Sequence, residues 1–319
     1  MRGHIIMNSI PKDQHSRCST LKEMLVSPGL AFLMEAHDGL SAKIVEKSGH
    51  AGIWASGLSI STALGLRDCN EAAWTQMQAS VEMMADAVTI PILVDGDSGY
   101  GNFNNARRVA TKFEQAGASG ICIEDKLFPK MNSFRGERQA LAEKYEFCGR
   151  IRAIKDSQRD KDFVLVARTE ALISGYSMQE ALDRCSYYSA AGADAILIHS
   201  KKTTPHEILE FLSAWKNHSP VVIVPTTYCQ TSSDTLERAG ASLAIWANHT
   251  MRASAQAMLK TCLQIKHDRG VQNIESEISS LKEIFSLFEY DRLDQEEVAY
   301  LSKQPFSLPI DHEQIAEAS

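Results

Sequence analysis

Two short strings carry side chains fit for chemistry, each at the end of an apolar run. Leu93-Val-Asp-Gly-Asp-Ser-Gly-Tyr-Gly101 places Asp95 and Asp97 just past one run, and Glu124-Asp-Lys-Leu-Phe-Pro-Lys-Met-Asn-Ser133 follows another, Gly120-Ile-Cys-Ile123. Carboxylates are hard oxygen donors suited to a divalent cation. Asp95, Asp97 and Glu124 therefore read as a magnesium site, and the lysine-bearing stretch after Glu124 reads as a flap.

Other apolar runs also end in polar residues: Glu35, His37 and Asp38; Ser56, Gly57 and Leu58; Arg168 and Glu170; His199 with Lys201 and Lys202; Thr226; Asn248. Asp68 lies in a loop able to reach the same rim. Each has a plainer reading. An Asp-x-Asp before a helix can be an N-cap, but here the next helix begins later, near Asn104, which leaves both aspartates free. Glu124 could pair only with Lys126, and His199 could be a hydrogen-bonded core histidine. Arg168 closes an otherwise apolar run, where a guanidinium is costly unless an anion accepts its donors. A phosphate or carboxylate ligand fits there. Trp54 and Trp246 read as packing.

The elements that must position these residues follow from a repeat. Lys47–Ser56, Gln115–Glu124, Ala190–His199 and Arg238–Ala247 each run from a helix end through a glycine and a short turn into an apolar strand. The glycines suit the left-handed position just past a helix, and the runs suit strands buried on both faces. Further strand candidates at 31–35, 91–95, 163–168 and 221–225 bring the count to eight. Strands alternating with helices eight times predict an α/β fold, a (β/α)8 TIM barrel with its active site at the strands' C-terminal ends. A doubly wound sheet is the alternative, but no Gly-x-Gly-x-x-Gly follows the first strand. The expected layout is a flexible arm over 1–20, the barrel over 21–268 and a helical extension with a tail over 269–319. Within the extension, Ile274, Ile278, Leu281, Ile284, Phe285 and Phe288 predict one helix. Its apolar face would pack on a neighbouring subunit or cap its own barrel.

The chain has 319 residues and a net charge of −7, without a dense basic tract, which disfavours nucleic acid as a partner. Seven cysteines lack C-x-x-C spacing, so they read as reduced thiols of a cytoplasmic protein. No window approaches the ~20 apolar residues of a spanning helix.

Taken together, Trp54-Ala-Ser-Gly-Leu58, Leu66-Arg-Asp-Cys-Asn-Glu71, Asp95-Gly-Asp-Ser-Gly-Tyr-Gly-Asn102, Glu124–Ser133, Val166-Ala-Arg168 and Ile198-His-Ser-Lys-Lys202 resemble the phosphoenolpyruvate mutase and isocitrate lyase superfamily over roughly residues 25–290. Within it the likeness is to the phosphoenolpyruvate mutases. Lyases of the superfamily carry a cysteine in the flap, which Lys130-Met-Asn-Ser133 lacks, and relatives that hydrolyse phosphonopyruvate tend to have threonine where this chain has Asn132. Gly96 and Ser98 depart from the commoner alanine and threonine. The resemblance implies an isomerase that interconverts phosphoenolpyruvate and phosphonopyruvate, the first step of phosphonate biosynthesis, with phosphonopyruvate hydrolysis as the alternative. It implies Mg2+ held by Asp95 directly and by Asp97, Glu124 and Asp68 through waters. Asp68, Lys130, Asn132, Arg168 and His199 would be catalytic. Trp54, Ser56, Gly57, Leu58, Asn132, Ser133, Arg168 and His199 would bind the substrate. A homo-oligomer is expected, dimer or tetramer, with helices swapped between subunits.

Overall fold

The computed structural model describes residues 14–135 and 139–301. Eight parallel strands close into a barrel in sequence order: β1 (Ala31–Ala36), β2 (Ile53–Ala55), β3 (Ile92–Asp95), β4 (Gly120–Glu124), β5 (Val164–Thr169), β6 (Ala195–Ile198), β7 (Val221–Ile223) and β8 (Leu243–Trp246). Register is continuous around the ring, from Glu35 beside Trp54 in β1–β2 to Met34 beside Trp246 in β1–β8. The strands are apolar throughout because both of their faces are buried. One set of side chains fills the interior, among them Leu33, Trp54, Leu93, Cys122, Val166, Leu197 and Ile245. The alternate set, among them Ile53, Val94, Ile121, Leu165 and Ile196, packs outward against helices.

The helices are α1 (Gln14–Val26), α2 (Gly39–Lys47), α3 (Gly57–Ala63), α4 (Trp74–Ala87), α5 (Phe103–Gln115), α6 (Lys144–Ser157), α7 (Met178–Ala190), α8 (His206–Trp215), α9 (Ser233–Arg238), α10 (His249–Asp268), α11 (Leu281–Leu287) and α12 (Tyr290–Tyr300). The four repeat glycines, Gly49, Gly117, Gly192 and Gly240, all have φ between 85° and 108° just after a helix, as the repeat predicts.

Two expectations need correction. The arm was expected to run to residue 20, but residues 14–20 belong to α1, which buries Cys18, Leu21 and Leu25. Leu21 and Leu25 join the interior cluster of the barrel, and burying such a side chain contributes about 1.5–3 kcal/mol. The single helix expected over Ile274–Phe288 is instead a 3-10 turn at Glu275–Glu277 followed by α11. Ser280 starts α11 afresh: its hydroxyl accepts the Glu283 N–H while the Glu283 carboxylate accepts the Ser280 N–H. Residues 1–13 and the tail beyond Pro305 lie outside the described residues.

The chain divides into two compact units at Gln256, inside α10 rather than after it. Helix α10 buries none of its residues, and Met258, Leu259 and Leu263 are exposed. On the first unit an open groove of about 700 Å³ is lined by Met24, Leu30, Phe32, His50 and Trp246. Trp246 stacks on Phe32 there, with ring centroids 5.8 Å apart. All seven cysteines are free thiols, and no described helix is long and apolar enough to cross a membrane.

Candidate active site

The C-terminal mouth of the barrel gathers the strand-end residues around a cavity of about 60 Å³, lined by Trp54, Ser56, Leu58, Asp68, Asp95, Lys130, Asn132, Ser133, Arg168, His199, Thr226 and Asn248. Asp95 is the last residue of β3. Its Oδ1 accepts the Asp97 N–H at 3.2 Å and its Oδ2 the Gly57 N–H at 3.3 Å. The β3 loop turns tightly through Asp97 (φ 49°) and is pinned to β4, because Gly96 N donates to Cys122 O at 2.7 Å and Glu124 N to Asp97 O at 2.7 Å. Asn102, not an aspartate, caps α5, so the N-cap reading of Asp95 and Asp97 falls away. Gly96 is matched to its neighbour: a Cβ there would lie 2.6 Å from Ile121 Cδ1.

The flap leaves β4 and lies over this mouth. Lys130 Nζ sits 2.7 Å from both Asp68 Oδ1 and Asp97 Oδ1. Asn132 Nδ2 donates to Asp68 Oδ2 at 2.6 Å. The cavity left beneath, about 60 Å³, has room for only a few waters at about 10–15 Å³ each.

On the opposite wall, Arg168 Nε donates to Glu170 Oε1 at 2.6 Å and lies 3.3 Å from Glu124 Oε2. His199 Nδ1 stands 2.8 Å from Glu170 Oε1 and 2.9 Å from Arg168 Nη2. Burial disfavours charge on Arg168, but Glu170, Glu124 and Asp95 outweigh it and raise its pKa. Burial, reinforced by Arg168, lowers that of His199, so the ring is neutral at pH 7 and has one proton to place. On Nδ1 that proton meets Glu170; on Nε2 it leaves Nδ1 to accept from Arg168. Arg168 Nη1 makes no hydrogen bond to a described residue.

Electrostatically, the acid cluster is under-neutralised. Burial pushes Asp97 up to about 7 despite Lys130, with Asp95 and Asp68 adding to the rise. Burial likewise raises Glu124 against the pull of Lys126 and Arg168. Asp68 is buried too, but Lys130 and Asn132 more than compensate, and its pKa falls. Among the described residues neither Glu124 Oε1 nor Asp97 Oδ1 has a hydrogen-bond partner, although Lys126 Nζ stands 3.9 Å from the first and Lys130 Nζ 2.7 Å from the second. Among the described residues, no three His, Cys, Asp or Glu side chains stand at ligand spacing, and the Lys130 ammonium lies between Asp68 and Asp97. Orphaned hard oxygens in an overcharged, buried cluster nonetheless suit a divalent cation.

Not every strand-end residue joins the site. Glu35 and His37 pair with each other at 2.7 Å, Glu35 also accepts Met251 N, and Asp38 caps α2. Asp125 is buried beneath Thr169, Arg184 and Tyr188. Lys201 and Lys202 lie toward the surface. The substrate contacts expected at Ser56, Gly57 and Leu58 narrow as well. Ser56 N donates to Ala36 O and Gly57 N to Asp95, so Leu58 N alone has no partner among the described residues.

One residue escaped the sequence reading. Asn70, left-handed at φ 59°, donates Nδ2 to Asp97 Oδ2 at 2.7 Å and accepts the Lys130 N–H on Oδ1 at 2.6 Å. It thus ties an acid of the cluster to the flap backbone. Only its left-handed preference hinted at a turn, since its partners lie 27 and 60 residues away.

The family model for phosphoenolpyruvate phosphomutase matches residues 21–266. A phosphoenolpyruvate phosphomutase of Streptomyces hygroscopicus is 53% identical over 281 residues, 88% of this chain and 90% of the relative. A solved phosphoenolpyruvate phosphomutase from Streptomyces platensis subsp. rosaceus superposes with a TM-score of 0.88 at 43% identity, covering 89% of this chain and 99% of that one. A phosphonopyruvate hydrolase solved in complex with oxalate and Mg2+ superposes at 0.85 with 37% identity, covering 90% and 99%. With residues 21–266 matched and half the aligned positions shared with a phosphomutase over nearly its whole length, the chain belongs to the phosphoenolpyruvate phosphomutase family.

Proposed function

We propose that this protein is an isomerase that moves a phosphoryl group between the enol oxygen of phosphoenolpyruvate and the methylene carbon of phosphonopyruvate, as the opening step of phosphonate biosynthesis. Cleaving the O–P bond through a loose, metaphosphate-like state leaves a pyruvate enolate, and the C–P bond forms when that group is recaptured by carbon. Arg168 Nη1, with His199 beside it, orients the phosphoryl group. Leu58 N donates to the carboxylate end, and Trp54 forms the apolar wall. Thr226 and Asn248 add buried oxygens that have no hydrogen-bond partner among the described residues.

Asp95, Asp97 and Glu124 would hold a magnesium ion, with Asp68 on its periphery. When bound, it supplies positive charge to the developing enolate oxygen, a preorganised stabilisation of the kind worth several kcal/mol. Lys130 then has substrate as well as carboxylates within its reach.

The observation that carries this reading is the closed flap. Asn132 gives its amide to Asp68, and Lys130 gives its ammonium to Asp68 and Asp97. Neither takes a proton from water at neutral pH, so the flap excludes solvent without activating it. Phosphonopyruvate hydrolysis, the second reading, needs that activation. Phosphorus NMR of phosphonopyruvate with enzyme and Mg2+ separates the two: phosphoenolpyruvate is expected, and free phosphate as the main product would overturn the mutase reading. Exhaustive chelation is expected to abolish turnover, with recovery on adding Mg2+.

The working form is a cytoplasmic homo-oligomer in which α10 of one subunit covers the Phe32–Trp246 groove of another. Support comes from the helix that buries nothing and the apolar groove beside the first and last strands. Sedimentation is expected to give a dimer or tetramer, and a monomer at micromolar concentration would refute it.

A further inference from the structure

Ser133 was expected to touch substrate, yet its hydroxyl has nothing left to offer. A hydroxyl has one proton to donate and two lone pairs to accept with. Ser133 Oγ donates to Glu170 Oε2 at 2.6 Å and accepts from Lys126 Nζ at 2.8 Å and from Arg168 Nη2 at 3.0 Å. All three capacities are filled by protein. Each partner is charged: Lys126 and Glu170 are fully buried and stand 3.0 Å apart as an ion pair, Arg168 is half-buried, and Lys126 also donates to Met131 O in the flap backbone.

Glu170 links this knot to the reacting side. Its Oε2 receives Ser133 and Lys126 from the flap, while its Oε1 lies against Arg168 Nε at 2.6 Å and His199 Nδ1 at 2.8 Å. One carboxylate thus faces the flap with one oxygen and the proposed phosphoryl-binding pair with the other. We propose that Ser133 is the latch of the flap and Glu170 a positioning residue, so that closing the flap and aligning Arg168 with His199 are one event. If the flap lifts, Arg168 Nη2 loses its Ser133 partner and Glu170 loses the flap hydroxyl at the same moment. The guanidinium would then be held in its catalytic pose only over a pocket closed to water. The consequence for product partition rests on the mutase reading; the consequence for flap opening does not.

Two variants test the latch. Ser133→Ala removes the hydroxyl, and Ser133→Cys replaces it with a somewhat larger thiol, a weak donor and a weak acceptor. Hydrogen exchange of the backbone amides of residues 127–135, without substrate, is expected to quicken by about tenfold or more in both, given the usual worth of such bonds, while amides of β4 and β5 keep their protection. Unchanged exchange in the flap would overturn the latch. With phosphonopyruvate and Mg2+, phosphorus NMR is expected to show free phosphate rising at least about tenfold relative to phosphoenolpyruvate, as water enters a flap that no longer stays shut. A raised KM with an unchanged product ratio would instead make Ser133 an ordinary substrate contact and refute the proposal. Should the unaltered enzyme turn over no phosphonopyruvate, the functional reading fails while the exchange measurement still decides the latch.

Discussion

Replacing Asn70 probes how the acid cluster and the flap are joined. The native side chain makes two bonds, one to the carboxylate of Asp97 at 2.7 Å and one from the backbone N–H of Lys130 at 2.6 Å. A hydrogen bond to a charged group contributes about 1.5–3 kcal/mol and a neutral one about 0.5–1.5, so removing both costs about 2–4.5 kcal/mol. The backbone at Asn70 has φ 59°, which glycine adopts freely, whereas a side chain without a local hydrogen bond is penalised by about 1–2 kcal/mol. Asn70→Gly therefore isolates the side chain, and Asn70→Ala adds backbone strain to the same loss. Calorimetry is expected to rank unaltered protein above the glycine variant and that above the alanine variant, with roughly 1.5 °C of melting temperature per kcal/mol in a protein of this size. The Mg2+ concentration giving half-maximal turnover should rise about 10–100-fold in the glycine variant, the usual loss when a group that orients a metal ligand is removed. A glycine variant with native melting and native Mg2+ dependence would refute the bridging role, and an alanine variant no less stable than the glycine one would show that the turn stores no strain.

Three further outcomes follow from the same geometry. Asn132→Thr loses the amide donated to Asp68 and should raise free phosphate from phosphonopyruvate in phosphorus NMR; an unchanged product ratio counts against the flap argument. Gly57→Ala would place a Cβ 3.0 Å from Asp95 Oδ2 and 3.2 Å from its Cγ, so kcat/KM should fall at least about tenfold while melting holds, because alanine favours a helix by up to about 1 kcal/mol over glycine; full activity would show that Asp95 tolerates displacement. The Glu35–His37 pair sets a pH window. The Glu35 hydrogen bond raises the His37 pKa above its ordinary 6.5, so that stabilisation is complete below 6.5 and fades as pH rises through the folded value. Glu35 is held below 4.5: burial opposes its charge, but His37, Thr250 and Met251 outweigh it, so its share persists above 4.5 and fades as pH falls through the folded value. The melting difference between the unaltered protein and His37→Asn should be largest between pH 4.5 and 6.5 and shrink toward pH 9, and a difference that grows with pH would reverse the assignment.

The barrel was legible because its signals are local. A glycine after each helix and an apolar run after each glycine state the turn and the strand within ten residues, as at Gly117 and Gly192. Strand-end chemistry was legible for the same reason, since a charged residue closing an apolar run, as Arg168 does, must find a partner. What stayed hidden depends on distance along the chain. Asn70, Ser133 and Glu170 acquire their roles from partners up to 60 residues away, and no local pattern announces such meetings. Helix α1 was missed although Cys18, Leu21 and Leu25 recur at helical spacing, because the polar residues between them dominated the reading. The break before α11 was readable in Ser280-Leu-Lys-Glu283, a capping box that the run of apolar residues on either side obscured.

The flap reaches three different loops: Asp68 and Asn70 after β2, Asp97 after β3, and Glu170 after β5. The residues proposed to hold the anion, Arg168 and His199, belong by contrast to the ends of β5 and β6. On the proposed function, the groups that hold the substrate and the cover that decides its fate lie in separate stretches of sequence, joined through Glu170. Selection can redirect the fate of a reactive fragment by editing a dozen residues of one excursion while the scaffold beneath goes untouched. New chemistry on such a scaffold is then a matter of rewriting its cover.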